Sequence, residues 1–129
     1  MQIKSGIDII EVERIKNSIN DNGQAFLNKV FTENEIKYCE SKNKNKYQSY
    51  AARFAAKEAA FKAISTLIKD KYSISWKNIE TTNDSTGKPN VQFVSLTKEV
   101  EKELEKIESI DVSISHLETY AVATVNILI

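Results

Sequence analysis

The segment 47–69 constrains the fold more than any other part of the sequence, because it is rich in Ala and contains neither Gly nor Pro. Ala has the highest helix propensity, so this segment predicts one long helix. At about 100° per residue, one apolar stripe of that helix consists of Tyr50, Phe54, Phe61 and Ile68. A helix with an apolar face must pack against another layer of structure.

The other layer is predicted by short segments with strand-like patterns. Apolar residues alternate with polar ones near the end of the chain, and turn residues separate two segments around 84–90. Strands are predicted at 2–10, 76–82 and 91–94, and around 110–114 and 121–127. The pattern therefore predicts an α+β fold, in which a mostly antiparallel sheet packs against a long central helix.

Composition limits the classes of protein to which the chain can belong. Its 129 residues include no Gly- or Pro-rich linker, so we predict a single domain over 1–129. Lys and Arg number 18, as do Asp and Glu, and zero net charge argues against binding to nucleic acid or to an anionic membrane. The lone cysteine, Cys39, has no intrachain partner and suits a small buried side chain. With no apolar leader or membrane-length apolar run, we expect a cytoplasmic protein.

Asp8 interrupts an apolar strand between Ile7 and Ile9. Alternation puts its carboxylate on the opposite face from both neighbours. A buried carboxylate needs a cation or several hydrogen-bond donors. Two structural interpretations compete with a functional one: Asp8 could cap the helix that follows, or its side chain could simply reach solvent.

Charged residues bracket the apolar stripe of the long helix. Glu58 lies on one flank with Lys62 one turn further, and Lys57 lies on the other flank with Arg53 one turn before it. The structural interpretation is an exposed Glu58–Lys62 ion pair at i,i+4. Such a pair stabilises a helix by roughly a few tenths of a kcal/mol. The alternative is a ligand site at the edge of the helix.

Two further features are ambiguous on their own. His116, the only histidine, ends a predicted strand and suits either a turn or a site. The tripeptide Gly87, Lys88, Pro89 is too short to form a phosphate loop by itself. Two carboxylates on different elements, with cations nearby, would suit Mg²⁺ and a phosphate-bearing ligand, since Mg²⁺ takes one or two protein carboxylates and fills its shell with phosphate and water.

Three segments together resemble a known family. GIDIIEVERI at 6–15, RFAAKEAAFKA at 53–63 and SISHLETYAVATV at 113–125 are similar, in order and spacing, to segments of the holo-[acyl-carrier-protein] synthases. These are the small bacterial 4'-phosphopantetheinyl transferases of fatty acid biosynthesis. The resemblance covers nearly the whole chain and includes VFTENEI at 30–36. It implies the fold of that family and a transferase that moves 4'-phosphopantetheine from coenzyme A to a serine of apo acyl carrier protein, releasing adenosine 3',5'-bisphosphate.

The resemblance also implies roles for individual residues. Matching by motif assigns the Mg²⁺ ligands to Asp8 and Glu58, catalysis to Glu58 and Lys62, and carrier-protein docking to Arg14. It assigns coenzyme A binding to Arg53, Lys57, Lys62, Gly87, Lys88, Pro89 and His116. The family is typically a homotrimer with active sites at subunit boundaries, so the same is expected here.

The sequence departs from the family pattern at 64–67, where Ile, Ser, Thr and Leu replace a Gly-containing segment. Acidic residues also flank Arg14, so Lys16, Lys29 or the basic loop 41–46 could share in docking. Two other functions remain open. One is a transferase of the same superfamily that modifies another carrier, such as a peptide-synthetase domain. The other is a non-catalytic module that binds an anionic ligand.

Overall fold

The computed structural model describes every residue from 1 to 129. The strands are β1 (Ile3–Glu11), β2 (Ile79–Asn83), β3 (Pro89–Phe93), β4 (Ser109–His116) and β5 (Tyr120–Leu128). The helices are α1 (Val12–Asn22), α2 (Gln24–Val30), α3 (Glu33–Glu40), α4 (Lys46–Ile64) and α5 (Lys98–Glu103). Short 3-10 turns lie at Asn43–Asn45, Lys71–Ser73 and Trp76–Asn78. None of the helices has both the length and the apolar composition of a membrane span.

The strands form two antiparallel sheets. The larger sheet has the order β1–β5–β4, and β2 and β3 form a separate hairpin. In the larger sheet Asp8 on β1 and Ile114 on β4 both pair with Ala123 on β5. The predicted α+β class, with antiparallel strands and a long helix, is confirmed.

Helix α4 packs across the larger sheet through alanine side chains. Its fully or nearly buried face is made of Ala51, Ala52, Ala55, Ala56, Ala59, Ala60 and Ala63. Because alanine is short, β1 comes close enough that a Cβ on Gly6 would lie 1.9 Å from the carbonyl oxygen of Ala59. The predicted apolar stripe is only partly used for packing: Tyr50 and Ile68 are buried, whereas Phe54 and Phe61 are half-buried and line cavities beside the helix.

Two element boundaries differ from the sequence predictions. Helix α4 ends at Ile64 instead of residue 69, because the Ser65 hydroxyl donates to the carbonyl of Lys62 and the chain turns so that Ile68 enters the core. The strand predicted at 76–82 begins only at Ile79. Before it, the Asn78 side chain accepts from the Ser75 amide and closes a 3-10 turn that contains Trp76.

Other local predictions are confirmed. The spacing of Thr32 and Glu35 predicts a capping box, which is present at the start of α3. Of the two candidate caps for α5, Ser95 and Thr97, it is Thr97 that caps the helix. Cys39 is fully buried, and burial raises the pKa of its thiol to about 12.

The outer face of the larger sheet is left uncovered. Ile7 and Ile9 are 60% and 65% exposed, and Ile3 and Tyr120 are exposed beside them. Soluble proteins seldom leave a contiguous apolar face open to water. This face is therefore a candidate contact surface.

Candidate functional site

Asp8 lies on the inner face of β1, where its carboxylate meets the side of α4. Its side chain is 19% exposed, and its Oδ1 is 3.3 Å from the Nζ of Lys62. Lys62 also donates to the carbonyl of Ile7. The capping interpretation is wrong, because the residue before α1 is Glu11 and no side chain caps that helix.

Glu58 lies one turn before Lys62 on α4, yet the two are not paired. One carboxylate oxygen of Glu58 accepts a hydrogen bond of 2.7 Å from the indole Nε1 of Trp76. Lys62 turns instead to Asp8. The exposed i,i+4 ion pair suggested by the sequence is thus absent.

Asp8 and Glu58 line the same cavity. This cavity has a volume of about 270 Å³ and also includes Arg14 of α1 and the ring of Phe54 in its walls. The structure therefore brings together the two predicted metal ligands and the predicted docking residue, and Lys62 contacts one of these ligands, Asp8. No group of three or more His, Cys, Asp or Glu side chains is arranged to hold a metal. Two half-buried carboxylates that share a cavity suit a hard cation that completes its shell with ligand and water oxygens, as Mg²⁺ does.

A second cavity, of about 350 Å³, also reaches Glu58. Its walls are mostly apolar and include Phe61, Ile74 and the Trp76 ring. Glu58 thus stands between a polar cavity that contains Asp8 and a more apolar one.

Lys57 is fully buried. Its Nζ is 2.6 Å from Glu35, which is also fully buried, and it donates to the backbone carbonyls of Trp76 and Ile79. A lysine ammonium has three N–H donors, and these three acceptors match them. Burial lowers the pKa of Lys57, while the charge and hydrogen bond of Glu35 oppose that shift.

Glu80 extends this buried polar network. Burial alone would raise the pKa of its carboxyl, but hydrogen bonds from Thr32, Gln92 and Asn34 together lower it below its usual value. The second oxygen of Glu35 accepts from the amide of Thr81. The network therefore joins α3, α4 and β2 beneath the cavities.

Arg53 is 5% exposed and lies between α4 and the β2–β3 hairpin. Its guanidinium stacks 3.8 Å above the ring of Tyr38 and donates to Asn83, and Asn83 donates to the carbonyl of Gly87. Arg53 Nε is buried and has no partner. Through Asn83, Arg53 supports the turn that contains Gly87 and Lys88.

The remaining predicted residues lie near β4. Lys88 is 3.0 Å from Asp111 and donates to the carbonyl of Val112. His116 is exposed, and its Nδ1 lies 2.9 Å from the side-chain oxygen of Gln48. Pro89 begins β3.

The predicted site residues form two separate groups within one chain. Asp8 and Lys62 lie at β1, one edge of the larger sheet, whereas His116 and the contacts of Lys88 lie at β4, the other edge. Two strand spacings separate these edges, which is about 10 Å. A single chain does not bring the two groups together.

Three site residues were missed by sequence reasoning. Trp76 was assigned to a strand, Glu35 was given only a capping role, and Glu80 was not singled out. One signal was available for Trp76: it is the only Trp in the chain and lies in a Ser- and Asn-containing segment that favours turns. No sequence pattern reveals which carboxylate neutralises Lys57.

Comparison with known proteins places the chain in a family. A family model described as the 4'-phosphopantetheinyl transferase superfamily matches residues 4–125. A holo-[acyl-carrier-protein] synthase from Ruminiclostridium cellulolyticum is 51% identical over 123 residues, spanning 95% of this chain and 90% of the relative.

Solved structures agree in fold. The Helicobacter pylori holo-[acyl-carrier-protein] synthase in complex with coenzyme A has a TM-score of 0.78 at 28% identity, covering 96% of this chain and 99% of that one. The Bacillus anthracis synthase in complex with CoA (3',5'-ADP) has a TM-score of 0.74 at 34% identity, covering 96% and 94%. The resemblance inferred from the three motifs is confirmed, and the chain belongs to the 4'-phosphopantetheinyl transferase superfamily.

Proposed function

We propose that the chain is a holo-[acyl-carrier-protein] synthase. It transfers 4'-phosphopantetheine from coenzyme A to a serine of apo acyl carrier protein in fatty acid biosynthesis, and adenosine 3',5'-bisphosphate is released. The observation that supports this most is the cavity that Asp8, Glu58 and Arg14 line together. The names of the relatives, and the coenzyme A in the Helicobacter pylori complex, agree with that activity.

Asp8 and Glu58 are the residues that would hold Mg²⁺. Each offers carboxylate oxygens to the same cavity, and Lys62 forms an ion pair with Asp8. When bound, Mg²⁺ would supply Lewis-acid polarisation of the coenzyme A pyrophosphate.

Lys62 is the cation best placed to assist the transfer. Its side chain is 53% exposed, so its ammonium group can turn from Asp8 to a phosphate oxygen without losing a buried contact. There it would stabilise the negative charge that builds up on the departing bisphosphate. The proton of the carrier serine would pass to Glu58 or to a water molecule beside it.

Lys57 and Arg53 have different proposed roles. The predicted contact of Lys57 with coenzyme A phosphate conflicts with its burial, because its three donors are already used. We assign Lys57 to positioning of the site. Arg53 would act through Asn83 on the Gly87–Lys88–Pro89 turn, which would contact the nucleotide part of coenzyme A together with His116.

A neighbouring copy of the chain would complete the site. His116 and Lys88 lie at the opposite sheet edge from Asp8, so they would serve the carboxylates of another subunit. The uncovered apolar face with Ile7 and Ile9 offers a surface for such an assembly. We propose a homotrimer, as is typical of the family, located in the cytoplasm.

Arg14 would dock the acyl carrier protein. It is exposed on α1 and lines the cavity with Asp8, so a carrier held there would present its serine to the carboxylates. Lys16 and Lys29 are exposed on α1 and α2 and would add positive charge for an acidic partner.

The test of the activity is a transfer assay. The protein is incubated with coenzyme A, Mg²⁺ and apo acyl carrier protein, and the carrier is weighed by mass spectrometry. We expect added phosphopantetheine with the unmodified enzyme, and none with Asp8→Ala or Glu58→Ala, because each variant loses one of the two carboxylates. Glu101→Ala, an exposed change on α5, is the control and stays active. Full activity in the Asp8 or Glu58 variant would contradict the metal assignment.

A second assay tests docking. Reversal of charge in Arg14→Glu is expected to raise the KM for the carrier far more than the KM for coenzyme A, because the carrier alone meets α1. Lys106→Glu, an equal change of charge at an exposed residue after α5, leaves both constants unchanged. Equal effects of Arg14→Glu on the two substrates would remove Arg14 from the docking surface.

The same transfer assay separates the two alternatives. A transferase for a peptide-synthetase carrier domain would modify that domain in preference to acyl carrier protein. A binding module would modify neither.

A further inference from the structure

We infer that Trp76 is a positioning residue that holds the Glu58 carboxylate in a single orientation for the metal. The inference rests on the proposed function, since it assigns Glu58 as a Mg²⁺ ligand. It adds a residue that the family motifs do not include.

The indole N–H of Trp76 can donate a hydrogen bond but cannot accept one. It lies 2.7 Å from Oε1 of Glu58, which is a normal length for a hydrogen bond to a charged oxygen. No hydrogen bond to Oε2 of Glu58 is formed within the chain. The contact therefore engages one oxygen and leaves the other available to the cavity shared with Asp8.

Trp76 is itself held from several sides. Its backbone carbonyl accepts a hydrogen bond of 2.9 Å from the buried Lys57. Its ring packs against Phe54 with the ring centres 6.0 Å apart, and the ammonium of Lys29 lies 6.0 Å above it. The ring therefore has little freedom to swing away from Glu58.

Lys57 and Glu58 are consecutive on α4, and Trp76 bridges them. Lys57 is anchored by Glu35, so the buried ion pair fixes the backbone of residue 76, and the indole of residue 76 fixes the side chain of residue 58. Partners of this kind orient metal-binding carboxylates before the metal arrives. Their loss typically lowers metal affinity or activity by about 10- to 100-fold.

The test uses Trp76→Phe, which keeps an aromatic ring beside Phe54 and removes the N–H donor together with the five-membered ring of the indole. Mn²⁺ serves as the probe, and electron paramagnetic resonance measures the free ion during a titration of the purified protein. We expect the Mn²⁺ dissociation constant to rise by about 10-fold. In the transfer assay, we expect a higher Mg²⁺ concentration to be needed for half-maximal activity, with little change in the KM for coenzyme A.

The control is Tyr47→Phe, which also removes one hydrogen-bond donor from an aromatic residue. The Tyr47 hydroxyl bonds Asn20, away from both carboxylates, so this variant keeps the Mn²⁺ affinity of the unmodified protein. Equal unfolding midpoints of the two variants would show that the effect of Trp76→Phe on metal binding is not a loss of folding.

A spectroscopic measurement needs no variant of Trp76. Trp76 is the only tryptophan, so the tryptophan bands of the ultraviolet resonance Raman spectrum and the tryptophan fluorescence report its environment alone. Glu58→Gln is expected to weaken the indole N–H hydrogen bond and to shift both spectra, because a neutral amide oxygen is a poorer acceptor than a carboxylate.

The outcomes distinguish the two proposals. If Trp76→Phe binds Mn²⁺ as tightly as the unmodified protein, or if Glu58→Gln leaves both spectra unchanged, the positioning role is overturned and the metal site stands. If the unmodified protein binds no Mn²⁺ either alone or with coenzyme A, the metal assignment fails and the positioning role fails with it.

Discussion

At the scale of single residues, two lysines of α4 that the sequence treats alike differ in their burial. The sequence placed Lys57 and Lys62 on the two flanks of one helix, and the family resemblance assigned both to phosphate. In the folded chain Lys62 is half exposed, whereas Lys57 is fully buried against Glu35. Helical periodicity reports which side of a helix a residue is on. It does not report whether another element covers that side.

The two lysines therefore give a matched pair of variants. Lys57→Met leaves the Glu35 carboxylate buried without its cation, and breaking a buried pair in this way costs about 3–5 kcal/mol of stability. Lys62→Met removes an exposed pair, which contributes at most about 1 kcal/mol. Urea unfolding measures the free energy of unfolding of both variants.

For coenzyme A binding, we expect Lys62→Met to have a larger effect than Lys57→Met. By isothermal titration without metal, the folded Lys57→Met protein binds coenzyme A nearly as well as the unmodified chain, and Lys62→Met binds it more weakly. If the folded Lys57→Met protein lost most of its affinity for coenzyme A, Lys57 would have the direct phosphate contact that the family implies.

At the scale of elements, the contact between β1 and α4 sets the geometry of the site. Alternation correctly placed Asp8 on the opposite face of β1 from Ile7 and Ile9, and in the structure this face, which also carries Gly6, meets the helix. The apolar stripe of α4 suggested that large side chains form its packing face, because such side chains usually fill cores. Alanine packs there instead, since the sheet approaches too closely for larger side chains. The rings of Phe54 and Phe61 line the cavities instead, and Phe54 meets Trp76 there.

Gly6→Ala tests this close approach. The new Cβ would lie 1.9 Å from the Ala59 carbonyl oxygen and 2.8 Å from the Ala63 amide nitrogen, and both are backbone atoms that cannot rotate away. Overpacking of this kind is expected to lower the free energy of unfolding by about 3 kcal/mol or more.

The control lies next to it on the same strand. Ser5→Ala puts the same side chain on the exposed face of β1 and removes only a surface hydrogen bond to Asn126, so its cost is within about 1 kcal/mol. Urea unfolding that gives equal stabilities for the two variants would show that β1 can move away from α4 without penalty.

At the scale of the whole molecule, the sequence predicted the class of fold but not the uncovered face. Alternation in β1 showed that Ile7 and Ile9 share a side, and it could not show that nothing within the chain covers that side. Nor could it show that the two groups of predicted ligand residues lie at opposite sheet edges, since edges are defined only by the strand order β1–β5–β4.

Ile9→Lys tests whether this face joins copies of the chain. A lysine there would place a charge in an apolar contact, so we expect sedimentation equilibrium to give the mass of one chain, where the unmodified protein gives three. Glu101→Lys, an exposed change on α5, is expected to leave the trimer intact. An unmodified protein that sediments as one chain would contradict the trimer.

The separation of Asp8 and His116 by the width of the sheet has a consequence for enzyme activity in the cell. Under the proposed assembly, a newly made chain folds with half of one site at each edge and is inert until it meets other copies. The activity per chain then rises with the total concentration of the protein, until nearly all chains are assembled. Chains defective at different edges, one carrying Asp8→Ala and the other His116→Ala, would each be inactive alone and regain part of their activity when mixed.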